Sequence, residues 1–421
     1  MDFQDLPGTP FTLKNVNVPA CFLGKDGDLV PTDIGVDDGR ITGATGTEID
    51  MKGAIVLPAF VDCHTHLDKG HIWPRASNPD GTFLGALTNV QADHANWTAE
   101  DVRTRADFSL RCAFAHGTRA IRTHLDSPPG QDDISWPVFA ELRDVWTDKI
   151  DLQAVSLSGC DRVDIDGRYL RTADIVADHG GILGMVTYPM ESLDKFLRKF
   201  FEVAGERGLE VDFHVDETMD PTIETLRDIC AAKADTGFDA PVMVGHLCSL
   251  SAQDESRAQE TADMVAAAGM NVVSLPMCNM YLQDRDANRT PRARGVTLVH
   301  ELKARGVPVS FASDNTRDPF YAYGDLDMLE VMREATRSAH LDHSDTNWVK
   351  AFSATPAEAC RFGPASLAAG APADLVICKA RTWTELFSRP QSDRIVLRDG
   401  TAIDRTLPDY AELDHLFQET A

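Results

Sequence analysis

Two histidines one residue apart, His64 and His66, close the apolar run AIVLPAFVDCH and lead into LDK. In extended backbone alternate side chains point to the same side, so both imidazoles can grip a single ion. Three further histidines end apolar runs of the same kind: His124 in TRAIRTHLD, His214 in LEVDFHVDE and His246 in APVMVGHLC. The run VPVSFASDN ends in Asp314 and Asn315. The chain has 13 histidines, and a random scatter would put more of them on helices than at strand ends. Imidazole nitrogens completed by one carboxylate suit zinc or ferrous iron. His214 is the candidate third imidazole and Asp314 the candidate carboxylate. Glu217, three residues after His214, is placed to take a proton from water and return it to a leaving nitrogen. His246 is the next candidate. A lone histidine after a strand, such as His124, is as often a satisfied core residue as a functional one.

Elements must hold these residues together. Eight apolar runs read as strands: AIVLPAFVDCH, TRAIRTHLD, IDLQAVSLS, GILGMVTYP, LEVDFHVDE, APVMVGHLC, MNVVSLPMC and VPVSFASDN. Between them lie helical stretches, among them Glu100–Ala115, Leu193–Arg207, Thr222–Ala234, Gln253–Ala268 and Arg294–Arg305, the first capped by Thr98. The strand runs are continuously apolar, as expected where both faces are covered. Alternation of this kind predicts an α/β fold, a (β/α)8 TIM barrel over 58–364, whose active site lies at the strands' C-terminal ends. A doubly wound sheet competes, but no GxGxxG follows the first strand. Short strand-like runs broken by Gly and Asp occupy 1–57 and return over 365–421. Neither end alone buries enough surface, so the two predict one small composite β-sandwich domain.

Composition excludes several classes. A formal net charge of −26 disfavours nucleic acid, anionic membranes and polyanionic substrates. Nine cysteines, an odd number without a CxxC pair, read as buried residues of a reducing compartment. The N-terminus lacks a basic region followed by an apolar one, and no apolar stretch approaches a membrane span, so a cytoplasmic location is expected. GxSxG and P-loop sequences are absent, as are the HxE and PCxxC pair of zinc nucleobase deaminases. HELKA at His300 begins like a zincin helix but lacks the second histidine.

The motifs LPAFVDCHTHLDKG, RAIRTHLD, IDLQAV, DFHVDE, GHLCSL, NMYLQDRD, RGVTLVHELKARGV and FASDNTRDPFYAYGDLDMLEV extend over most of the chain. Through them the chain resembles the amidohydrolase superfamily, and within it the bacterial type of cytosine deaminase. The resemblance implies one zinc or iron ion held by His64, His66, His214 and Asp314. It implies Glu217 as proton shuttle to a ring nitrogen, and His246, with Asp314 beside it, as the groups that hold, orient or deprotonate the attacking water. Asn315 stands where the family usually has a second Asp, and Phe320 where a Trp packs on the ring. Ser158 and Gly159 stand about where the family's Gln reads the cytosine edge. A missing amide there leaves cytosine poorly held, which implies a different or larger ring. Barrels of this family often assemble, so a homo-oligomer is compatible.

The expected function is hydrolytic removal of an exocyclic amino group, as ammonia, from a cytosine-like nitrogen heterocycle. The alternatives are a cyclic amidohydrolase or a triazine aminohydrolase on the same scaffold, and a metal-binding protein without catalysis. Binuclear relatives need a bridging Lys near the end of strand four, and VTYPMES offers none.

Overall fold

The computed structural model describes residues 5–162, 167–343, 346–390 and 393–417, and the expected domain spans run across the residues outside them. Among the described residues five strands come first: β1 (Phe11–Pro19), β2 (Leu29–Asp37), β3 (Arg40–Thr42), β4 (Thr47–Asp50) and β5 (Ile55–Pro58). Eight strands with intervening helices follow: β6 (Phe60–Thr65), β7 (Thr118–Asp126), β8 (Asp151–Leu157), β9 (Leu183–Val186), β10 (Val211–Val215), β11 (Val242–His246), β12 (Asn271–Ser274) and β13 (Val309–Phe311). The last are β14 (Leu375–Cys378), β15 (Arg394–Arg398) and β16 (Thr401–Ala402).

Both ends of the chain build one eight-stranded sheet in the order β16-β15-β14-β5-β1-β2-β3, with β4 on β1. Its own apolar cluster includes Leu13, Val16, Val36, Val56, Leu375, Ile377 and Leu397. The β2–β3 hairpin turns on Asp38-Gly39, both at positive φ (46° and 72°), the pair that a two-residue turn of this hand needs.

The run 54–64, expected as one strand, is two. β5 pairs antiparallel with β14 in the terminal sheet, whereas β6 opens the parallel set. Pro58 lacks the N–H that would continue the ladder, so the chain changes sheets there.

The parallel strands form β6-β7-β8 and β13-β12-β11-β10-β9. Isolated parallel bridges Val155–Ile182 and Gly159–Val186 connect β8 to β9, and Thr65–Asp314 connects β6 to the segment after β13. Neighbours therefore follow chain order from β6 to β13, and the last meets the first. β7, β10 and β11 are buried along their whole length, as two-sided coverage requires.

The helix Ala99–His116 starts where Thr98 Oγ1 accepts from Asp101 N. The other foreseen helices are Leu193–Glu206, Thr225–Thr236 and Glu255–Ala267. The stretch 294–305 is helical only over Val299–Ala304. Gly295 sits at φ 72° with Gln283 packed against it, which keeps the first turn out of helix. The run 270–278, expected as strand throughout, is strand only over β12. Pro276 then opens the helix Pro276–Leu282, its fixed φ suiting a first turn that needs no donor.

Candidate metal centre

The strand ends deliver the candidate residues to one place. His64 lies near the end of β6, with His66 just past it. His124 comes from β7, His214 from β10, and His246 is the last residue of β11. Asp314 follows β13 and is pinned beside β6 by its N–H, which donates to His64 O at 2.9 Å. Asp62 tightens that seam by accepting from Ser313 N at 3.1 Å and from Ser313 Oγ. His246 and Asp314 both hold left-handed backbone, φ 74° and 65°, which non-glycine residues rarely adopt outside over-determined sites.

The geometry is tight. His64 Nε2 lies 3.1 Å from His214 Nε2, which lies 3.4 Å from His66 Nε2. Asp314 Oδ1 is 3.2 Å from His66 Nε2 and 3.6 Å from His64 Nε2. His124 joins the imidazole group, and His246 groups with His64 and Asp314. His124 Nε2 stands 3.4 Å from Oδ1 of Asp212, a buried carboxylate. Asp212 is in turn held by Arg122 at 3.3 Å.

Burial holds His64, His66 and His214 well below the usual histidine range, and neighbouring imidazoles push each further down. Burial also raises the Asp314 carboxyl to about 8. Neutral rings whose Nε2 atoms converge point lone pairs at one another. Both oxygens of Asp314 and the Nδ1 atoms of His64, His66 and His214 have no hydrogen-bond partner. A divalent cation between them satisfies the carboxylate and replaces lone-pair repulsion with coordination, so the donor set fits zinc or iron.

Glu217 stands beside this cluster. Its Oε1 accepts from Asn279 Nδ2 at 3.3 Å and faces His246 Nδ1 at 3.4 Å. Burial raises its carboxyl well above the ordinary glutamate range, and the Asp314 charge adds to the rise. Burial lowers His246 to about 3, with His124 and Lys69 pushing the same way. Asn279 Nδ2 also meets His246 Nδ1 at 3.0 Å. Gln283 Nε2 donates to Glu217 O at 3.2 Å, fixing the backbone of that loop. Asp216, between His214 and Glu217, accepts from Thr225 N, Thr225 Oγ1 and Leu226 N, so it anchors the loop to the next helix.

The expected substrate-side residues have their own partners. Ser158 Oγ donates to Ser127 O at 3.4 Å. A Cβ on Gly159 would come within 2.7 Å of Asp161 Oδ1 and 2.8 Å of Tyr188 Oη. Tyr188 donates to Asp161, and the pair fills the space a longer side chain at 159 would need. Asn315 Nδ2 donates to Asp318 Oδ2 at 2.8 Å, and its Oδ1 accepts from the Cys278 thiol. Phe320 is buried, with the Phe83 ring edge-on at 5.4 Å and Lys69 Nζ 5.2 Å from its centre.

Two polar residues at this site have no sequence-based assignment. Asn279 and Gln283 lie in NMYLQDRD, which carried the family resemblance without a role for either. Their signal is a spacing of four, Asn279 on the short helix opened by Pro276 and Gln283 just past its end, and both side chains bond to Glu217.

Comparison with known proteins gives four findings. The family model described as "Amidohydrolase family" matches residues 168–403. A pterin deaminase of Rhizobium rhizogenes is 52% identical over 419 residues, 96% of each chain. The structure of 5-methylcytosine deaminase from Klebsiella pneumoniae with 5-fluorocytosine aligns at a TM-score of 0.80 and 25% identity, covering 95% of this chain and 98% of that one. The N-isopropylammelide isopropylaminohydrolase of Burkholderia multivorans aligns at a TM-score of 0.74 and 24% identity, covering 94% and 98%.

Proposed function

Because the chain belongs to the amidohydrolase family, we propose that it is a metal-dependent hydrolytic deaminase acting on a pterin-like ring. The scaffold in this reading is a (β/α)8 barrel, supported by strand neighbours that run in chain order and return to the first. In this reading the single terminal sheet, with its own apolar cluster, stands for the expected β-sandwich unit.

The observation that carries the chemistry is the Glu217 carboxyl, raised by burial and bonded to Asn279 beside three imidazoles and a carboxylate. His64, His66, His214 and Asp314 would hold a divalent ion. A divalent ion bound there supplies Lewis acidity and draws the pKa of water toward neutrality. Asn279 donates to His246 Nδ1, which leaves the ring proton on Nε2, an atom with no other partner. His246 thus orients the attacking water. Water attacks the ring carbon that bears the amino group. Glu217 takes a proton from the attacking water and gives it to the adjacent ring nitrogen, then carries the proton of the new hydroxyl to the amino group, which departs as ammonia. The carbon–nitrogen bond breaks, and a ring oxo product remains.

The relative's name narrows the ring, and Gly159 agrees with it. Tyr188 and Asp161 stand where a cytosine-reading amide would reach, so this wall is built differently from a cytosine site. Phe320 and Asn315 are the other residues that this reading sets against the ring. All nine cysteines are free, in keeping with a reducing cytoplasm. No helix of the described residues is long and apolar enough to cross a membrane.

An ammonia-release screen tests the reading, using zinc, iron and manganese forms against aminated pterins, pyrimidines, purines and triazines. Ammonia with a 2-oxo pteridine product is the expected result. A ring-opened acid, or release of an alkylamine alone, overturns it.

A further inference from the structure

We propose that Lys69 is a substrate-binding residue whose ammonium donates to a ring oxygen of the heterocycle, so that the site selects amino-oxo rings over rings lacking that oxygen. The proposal rests on the deaminase reading and names the ring edge that the reading leaves open.

Lys69 follows His66 by three residues, just past the end of β6. Its side chain is only 5% exposed, and its Nζ pairs with Asp126 Oδ1 at 3.0 Å. An ammonium has three donors. Asp126 is shared, because its other oxygen meets His94 Nε2 at 3.1 Å. Asp318, whose charge also acts on Lys69, has its oxygens occupied by Asn315 Nδ2, Phe320 N and Tyr321 N. Asp126 is therefore the one ion-pair or hydrogen-bond partner of Lys69 among the described residues. A buried ammonium with donors to spare is costly unless something fills them.

In the deaminase reading the space beside it is the substrate's. Lys69 Nζ lies 5.2 Å from the centre of Phe320, the ring placed where the family packs an aromatic on the heterocycle. Its charge acts on His66, His246, Glu217 and Asp314, so it stands among the groups that surround the reacting carbon. Burial pulls the amine down, and Asp126, Asp68 and Asp318 outweigh that and keep it protonated. A group that only donates matches an acceptor that only accepts, and a ring carbonyl oxygen is such an acceptor. Glu217 holds the ring nitrogen next to the reacting carbon. Lys69 holds the oxygen, and Phe320 bounds the face. These contacts fix a planar ring in place and orientation, which a metal and one carboxyl alone do not.

The experiment crosses two substrates with two variants. Wild type and Lys69→Met are assayed for ammonia release from 2-amino-4-oxopteridine and from 2-aminopteridine, with metal content measured on the same samples. The expected result is a wild-type preference for the oxo ring of about 100-fold in kcat/KM, the scale of one charge-assisted bond to a buried acceptor. In Lys69→Met that preference collapses to within a few fold at unchanged metal content. Lys69→Met with Asp126→Asn removes the buried pair together and is expected to collapse it equally, which covers misfolding of the single variant. An equal loss on both rings, with the preference intact, makes Lys69 a structural counter-ion and overturns the proposal. Failure of wild type to release ammonia from either ring overturns the deaminase reading instead.

Discussion

Replacing Glu217 by Gln separates proton transfer from everything else the site does. The amide has the shape of the acid, and its Oε1 can still accept from Asn279 Nδ2, now 3.3 Å away. Gln283 binds the backbone oxygen of residue 217, so the loop keeps its anchor. Glu217 lies outside the proposed ligand set, and a neutral side chain relieves its repulsion with Asp314. Metal binding should therefore stay the same or tighten slightly. What is lost is an acid–base group, which contributes about 10²- to 10⁴-fold, or roughly 3–5 kcal/mol of barrier at 1.36 kcal/mol per decade. The assay couples ammonia release to a nicotinamide-linked reaction under saturating substrate, with elemental analysis of the same protein. The expected outcome is a full complement of metal, KM within a few fold, and kcat down by at least two decades. Turnover within tenfold of wild type at full metal loading would refute the shuttle.

Three further outcomes follow. Asp314→Asn and His214→Ala should each drop bound metal far below about one ion per chain, read by elemental analysis, because each removes one of four donors. Asn279→Leu should retain metal but lower kcat about 10- to 30-fold, since it removes two side-chain bonds worth about 1 kcal/mol each from the Glu217–His246 pair. Asp327 is a stability case. Burial raises its carboxyl, but the Arg394 charge and hydrogen bonds outweigh that and hold it below the usual carboxylate range. A depressed carboxyl stabilises the fold above its unfolded pKa of about 4 and stops doing so as pH falls through its folded value. Asp327→Asn should thus cost about 3 kcal/mol near neutrality, seen as a lower Tm. The deficit should shrink in acid below pH about 4, and a deficit independent of pH would contradict the ion pair.

The gathering of His64, His66, His214, His246, Glu217 and Asp314 was legible because each ends a continuous apolar run, and parallel strands bring their ends to one face. Pro58 was harder to read. The run through it is apolar on both sides, and only pairing partners reveal that β5 and β6 belong to different sheets. The helix Pro276–Leu282 was hidden for a similar reason: SLPMC extends an apolar strand by composition, while the turn depends on proline's fixed φ. With it went Asn279 and Gln283, whose roles exist only once that turn is made. Lys69 looks like a solvated charge in the sequence. Its burial depends on Asp126 and Asp318, 57 and 249 residues away in the chain.

The bridge between Thr65 and Asp314 has a consequence for how such a chain is made. On the ribosome the first two proposed ligands emerge early, and the carboxylate about 250 residues later. Until it arrives, a nascent chain can offer imidazoles but cannot join its first parallel strand to its last. Closure of that seam and completion of the proposed ligand set are one event, because Asp314 gives its N–H to His64 O and, in the proposed site, would give its carboxylate to the ion. Metal should consequently be acquired late, by a chain whose strands have all been released, and a product truncated before β13 should neither close nor hold it.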